Sequence, residues 1–170
     1  MPRHLGWLGA MLLAVGLLAP GAAADFRIQS LDNDFPQEIK DAGDNGKLLV
    51  IMFHQLGCPY CDKMRTRVFP DAKVDAYYSK NFVMIESNIR GNLDVVSPGG
   101  EKLSEVDMAK KYRIRATPVF MFFDKEGTEA LRLTGFLDAE MFVRAGQYVV
   151  DGVYKDPKKI SFYRYLKGEK

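Results

Sequence analysis

Two cysteines three positions apart, Cys58 and Cys61, are the residues of this 170-residue chain best suited to covalent chemistry, and it has no others. They stand in the run Gly57-Cys58-Pro59-Tyr60-Cys61. A thiolate attacks a disulfide, and a second thiol close by resolves the mixed disulfide that forms. A free cysteine titrates near pH ~8.5, so an attacking thiol needs help to ionise. The start of a helix supplies that help, because its first N–H groups lack partners and its dipole presents a positive end. Pro59 suits such a start, where its missing N–H is not needed. The spacing therefore predicts Cys58 as the exposed attacking thiol and Cys61, one turn deeper, as the resolving thiol. Tyr60 would point outward on the contact surface.

Other uses of the pair fit less well. A bridge over so short a loop removes little entropy from the unfolded chain, so it is a poor staple. Half of a zinc site would need a second pair or further ligands, and the sequence shows neither. Redox chemistry by the dithiol itself, with no bound cofactor and no metal, is the reading that remains. One metal alternative stays open, a copper-type soft site built from His54, Cys58 and Cys61.

The elements that must hold this pair can be read along the chain. Asp34-Phe35-Pro36 opens a helix that ends at Gly43, and Asn45-Gly46 is a turn. Residues 47–53 (KLLVIMF) form an apolar run of strand length, suited to burial on both faces of a sheet. The cysteine helix covers 57–68 and is stopped by Phe69-Pro70. A short helix over 71–79 and a strand over 82–88 follow. Residues 89–100 read as a loop or small hairpin. Ser104 to Asp107 resembles a capping box for a helix reaching Tyr112. Residues 119–123 and 130–134 make a hairpin around Asp124-Lys125-Glu126-Gly127, and Asp138 opens a last helix to Val150. Such an order gives an α/β fold: a mixed four- to five-stranded sheet with helices on both faces. The domain is expected over 25–153, with an aromatic and lysine-rich extension over 154–170 that the pattern does not place.

With the cysteines and this order together, the chain resembles the thioredoxin-like superfamily from Phe35 to Val150. The segments MFHQLGCPYCDKM and YRIRATPVFMFFDKEG are more narrowly similar to periplasmic thioredoxin-like proteins of bacterial sulfur oxidation, the SoxW type. That resemblance implies a thioredoxin fold and thiol–disulfide oxidoreductase activity. It makes Pro118 a cis-proline beside the dithiol, and it gives the backbone of Thr117 the task of pairing with an extended substrate segment. Pro59, Tyr60, Thr117 and Pro118 then form the substrate contact. It implies a membrane electron donor that recharges the oxidised protein. Relatives of this fold span about −120 to −270 mV, so direction stays open between a reductase of protein disulfides, preferred here, and an oxidising donor or isomerase. The chain departs from cytosolic thioredoxins at Met52, where they carry a buried acid. Water, His54 or Glu86 would have to move protons instead. Lys63, Arg65 and Arg67 read as a solvated helix face. Met52, Met64, Met84 and Met121 read as core.

The chain opens with Arg3 and His4, an apolar run over 5–18, a Pro20-Gly21 break and Ala22-Ala23-Ala24. That is the layout of a secretory signal peptide over 1–24, cleaved after Ala24, which makes the periplasm the simplest address. Lys+Arg is 24 and Asp+Glu 22, a formal charge of +2, which speaks against a nucleic-acid partner. The expected partner is a protein disulfide or dithiol met by a monomer.

Overall fold

The computed structural model describes residues 26–157 and 160–168. The expected leader, residues 1–24, lies outside them. Two strands are buried on both faces because their sequences are apolar without alternation. They are Leu48–His54 (β2) and Val119–Phe123 (β6), and they lie side by side, antiparallel, in the middle of the sheet. Phe82–Asn88 (β3) runs parallel to β2 on its other side, and Glu129–Thr134 (β7) pairs antiparallel with β6. A two-residue strand, Arg27–Ile28 (β1), adds parallel to β3 at Met84 and Ile85. The order is β1-β3-β2-β6-β7.

Alternation along the strands divides the core in two. Val50, Met52, Met84, Phe120 and Phe122 face one layer, which also holds Cys58 and Cys61. Leu49, Ile51, Phe53, Ile85, Met121 and Phe123 face the other. The first layer is closed by the cysteine helix Pro59–Lys63 (α2), by Ala72–Asn81 (α3) and by Ala139–Val150 (α5). The second is closed by Phe35–Asp44 (α1) and Glu105–Lys111 (α4). All four methionines read as core are fully buried. Gly146 lets α5 lie close to α3, since a Cβ there would stand 2.8 Å from the Tyr77 ring.

Helix starts follow the sequence signals. Asp34, Asp71, Ser104 and Asp138 each accept a backbone N–H of the first turn, at 2.8 to 3.3 Å. The Ser104 box differs from the usual one. Its acid, Asp107, accepts the Ser104 hydroxyl at 2.7 Å instead of reaching back to the cap's backbone.

One feature departs from the pattern, and two that it left open are resolved. The cysteine helix is not a single α-helix over 57–68, because it passes into one π turn at Met64–Val68. Thr66 Oγ1 donates back to the Asp62 carbonyl at 2.8 Å, a contact that bends helices. The 89–100 region forms the outer end of a hairpin, Asp94–Val96 (β4) with Lys102–Ser104 (β5). The tail is ordered where it is described. A short helix, Phe162–Leu166 (α6), buries Phe162 against Tyr148, whose hydroxyl donates to the Ile160 carbonyl at 2.8 Å. Tyr154 donates to the buried Asp124 at 3.0 Å. No helix among the described residues is long and apolar enough to cross a membrane.

Candidate active site

β2 ends at His54, and the chain must turn sharply to start α2. Gly57, at φ 72°, makes that turn in the left-handed region that glycine tolerates. Cys58 follows in extended conformation as the N-cap, and Pro59 is the first helical residue. Cys58 Sγ accepts the backbone N–H of Cys61 at 3.2 Å. The sulfur therefore sits where a helix start offers a donor to negative charge. The two cysteines form a disulfide with their Cα atoms 5.3 Å apart, inside the ordinary range for the bond.

Cys58 was expected to be exposed, and here it is not. It is 4 % accessible and Cys61 is fully covered. Cys58 is the less deeply covered of the two. Both cysteines belong to the apolar layer that also holds Met52 and Phe120, which accounts for their burial. What projects is the rim: Leu56 is 96 % exposed and Tyr60 56 %.

A second segment reaches the same end of the sheet. Phe53 pairs with Val119, so the residues after β2 and those before β6 share one end of the sheet. Thr117 and Pro118 stand there, joined by a cis peptide bond. The Pro118 carbonyl accepts from Gly135 N at 2.8 Å, which ties this segment to the end of β7. Phe136, just beyond, has its ring 6.5 Å from that of Tyr60 and carries the Lys63 ammonium 4.1 Å above its face. Lys63 is thus held by a ring instead of being a freely solvated face residue.

His54 and Glu86 are brought together. His54 Nε2 stands 3.8 Å from Glu86 Oε2, an ion-pair separation too long for a hydrogen bond. Glu86 is engaged elsewhere: Arg65 Nε donates to both its oxygens at 3.1 Å, and Arg65 Nη2 donates as well. Arg65 Nη1 reaches Asp62 at 3.0 Å. Burial pushes the His54 imidazole below its ordinary value; Glu86 opposes that shift and Arg65 adds to it. The hydrogen bond to Glu86 raises the Arg65 guanidinium above its usual range. Arg65 is the residue that the helix-face reading missed. Its spacing, four residues after Cys61, puts it on the Cys61 side of the helix, which was the available signal. Met52, by contrast, is fully buried and offers no charge to the pair. Among the described residues no group of three or more His, Cys, Asp or Glu side chains is placed to hold a metal ion.

Residues 35–150 match the family described as a thioredoxin-like domain. The chain belongs to that family. Its thioredoxin fold also appears in the solved thioredoxin-fold protein of Helicobacter pylori, with a TM-score of 0.62 at 20% identity over 85% of this chain and 86% of that one. A putative disulphide-isomerase from Bacteroides thetaiotaomicron gives a TM-score of 0.56 at 26% identity, covering 76% of this thioredoxin-like chain and 93% of its own. The thiol:disulfide interchange protein DsbD of Pseudoalteromonas atlantica is 26% identical over 117 residues, 68% of this chain and 18% of the relative. This chain spans about a fifth of the length of the curated relatives it matches. Family, fold and dithiol together make it a domain of thiol–disulfide oxidoreductase type.

Proposed function

We propose that this thioredoxin-like protein is an exported dithiol reductase that acts on protein disulfides. The observation that carries the proposal is the Cys58–Cys61 pair at the head of α2, where Cys58 Sγ accepts the Cys61 N–H. In the reduced protein that same N–H stabilises a Cys58 thiolate.

The Cys58 thiolate attacks one sulfur of a substrate disulfide. A Cys58–substrate bond forms, and the other substrate sulfur leaves as a thiolate that takes a proton. Cys61 then gives up its proton and attacks Cys58, releasing the second substrate sulfur. Two electrons pass from the dithiol to the substrate, and the Cys58–Cys61 disulfide is left. A membrane electron donor restores the dithiol. Pro59, Tyr60, Thr117 and Pro118 contact the substrate, with the Thr117 backbone pairing with an extended segment as a short added strand. Of His54 and Glu86, His54 handles the Cys61 proton, since Met52 cannot and Glu86 is held by Arg65. The leader-like start supports a periplasmic address, and the sequence resemblance supports a SoxW-type role in sulfur oxidation. The relatives named for disulfide interchange support the chemistry.

Insulin reduction with dithiothreitol as electron source tests the reading. The protein should accelerate precipitation of the insulin chains, and Cys58→Ser should abolish that. Equal activity after Cys58→Ser would sink it.

A further inference from the structure

His54 faces charged groups from four elements: Glu86 on β3, Asp62 on α2, Arg65 in the π turn that follows α2, and Glu105 on α4. Three are carboxylates and only one is a cation. Left alone, such a set would draw a proton onto the imidazole. The cation is placed to prevent this. Arg65 forks Glu86 through Nε and Nη2 and holds Asp62 through Nη1, so it occupies both carboxylates at once. The Arg65, Glu86 and His54 side chains are each about a quarter exposed, so water screens the set only in part. His54 Nε2 is left 3.8 Å from Glu86, beyond hydrogen-bond reach.

We propose that Arg65 is a positioning residue that commits Glu86 to its guanidinium fork and so leaves His54 without a carboxylate to bond. An uncharged imidazole keeps a lone pair. On the reductase reading proposed above, on which this inference rests, that lone pair takes the proton Cys61 loses as it attacks Cys58, and then passes it to water. His54 is suited by place. It projects from β2 to the same side as Met52, which packs in the layer with both cysteines. Arg65 lies one turn beyond Cys61 on the cysteine helix, in the π turn. The burial of His54 acts in the same direction as Arg65, since a covered imidazole resists protonation.

The test is the titration of His54 by NMR, in the oxidised and the reduced protein, set beside the pH dependence of insulin reduction. His4 is the one other histidine, and the signal lost in His54→Gln identifies His54. Arg65→Met should raise the His54 midpoint. Arg65→Met with Glu86→Gln should bring it back down. Arg65→Lys keeps the charge but cannot fork the carboxylate, and should fall between. In Arg65→Met the acid limb of insulin reduction should move up together with the His54 midpoint. An unchanged midpoint in folded Arg65→Met overturns the proposal, as does an unchanged one in Arg65→Lys should the methionine variant fail to fold. A midpoint that moves while the acid limb stays also overturns it. If the wild type reduces no insulin, the reductase reading fails, and the titration still decides whether Arg65 sets the state of His54.

Discussion

Replacing Met52 by aspartate would place a carboxyl where the sheet offers it nothing. Met52 is fully buried in a layer with Val50, Cys58, Cys61 and Phe120. Losing the methionine's buried apolar surface costs about 1.5–3 kcal/mol. An acid without a hydrogen-bond partner adds about 1–3 kcal/mol on the scale of protein mutational data. Met52→Asp should therefore lose roughly 2.5–6 kcal/mol, a large part of the ~5–15 kcal/mol that holds a domain folded. The sign with pH is fixed. Burial favours the neutral acid, so its folded pKa lies above the unfolded value of ~3.9. Its unfolded state releases the proton first, and the deficit deepens as pH rises from ~3.9 towards the folded pKa. Urea unfolding of the oxidised variant at pH 5 and pH 8 reads both effects. A variant within about 1 kcal/mol of wild type at both pH values, where a loss of several is expected, would refute the reasoning. The centre of the sheet would then tolerate a charge.

Other consequences follow from the same contacts. Glu105 is buried and accepts from Ser87 Oγ at 3.1 Å and Asn88 N at 2.7 Å. Glu105→Ala orphans both donors and should cost about 3 kcal/mol, or roughly 6–12 °C in a thermal melt. Asp124 accepts from Glu126 N, Thr128 N and the Tyr154 hydroxyl at 3.1, 2.8 and 3.0 Å. Asp124→Ala should cost about 2–3 kcal/mol in urea and leave insulin reduction unchanged, because Asp124 lies at the far end of β6 from Pro118. Burial holds the folded His54 below its ordinary value of 6.5. The unfolded chain therefore takes the proton first, so this contribution is full above pH 6.5 and is lost as pH falls from there through the folded value. His54→Gln should flatten that part of a plot of urea midpoint against pH, and parallel plots would count against the assignment.

Much of this arrangement was legible in the chain because it is local. The runs KLLVIMF and VFMFF have no polar alternation, and only a strand covered on both faces accommodates that. The cysteine spacing places a sulfur at a helix start, and Asp34, Asp71, Ser104 and Asp138 mark their own helix N-termini. What was not legible depends on distant partners. Arg65 looks like one of three cations on a solvated face until β3 brings Glu86, 21 residues away in sequence, against it. Tyr154 finds Asp124 thirty residues back, which no periodicity in the tail could show. β1 is two residues long and has no period to read. The π turn has no proline or glycine to announce it, and the burial of Cys58 depends on the layer beneath it.

The reduction potential of the Cys58–Cys61 pair tests the central claim most directly. Equilibration with dithiothreitol and glutathione buffers, read by the fraction of free thiol, gives it. A reductase should lie near the thioredoxin end of the range, about −270 mV. A value near −120 mV, the strongly oxidising end, would contradict the account and make the pair a donor of disulfides.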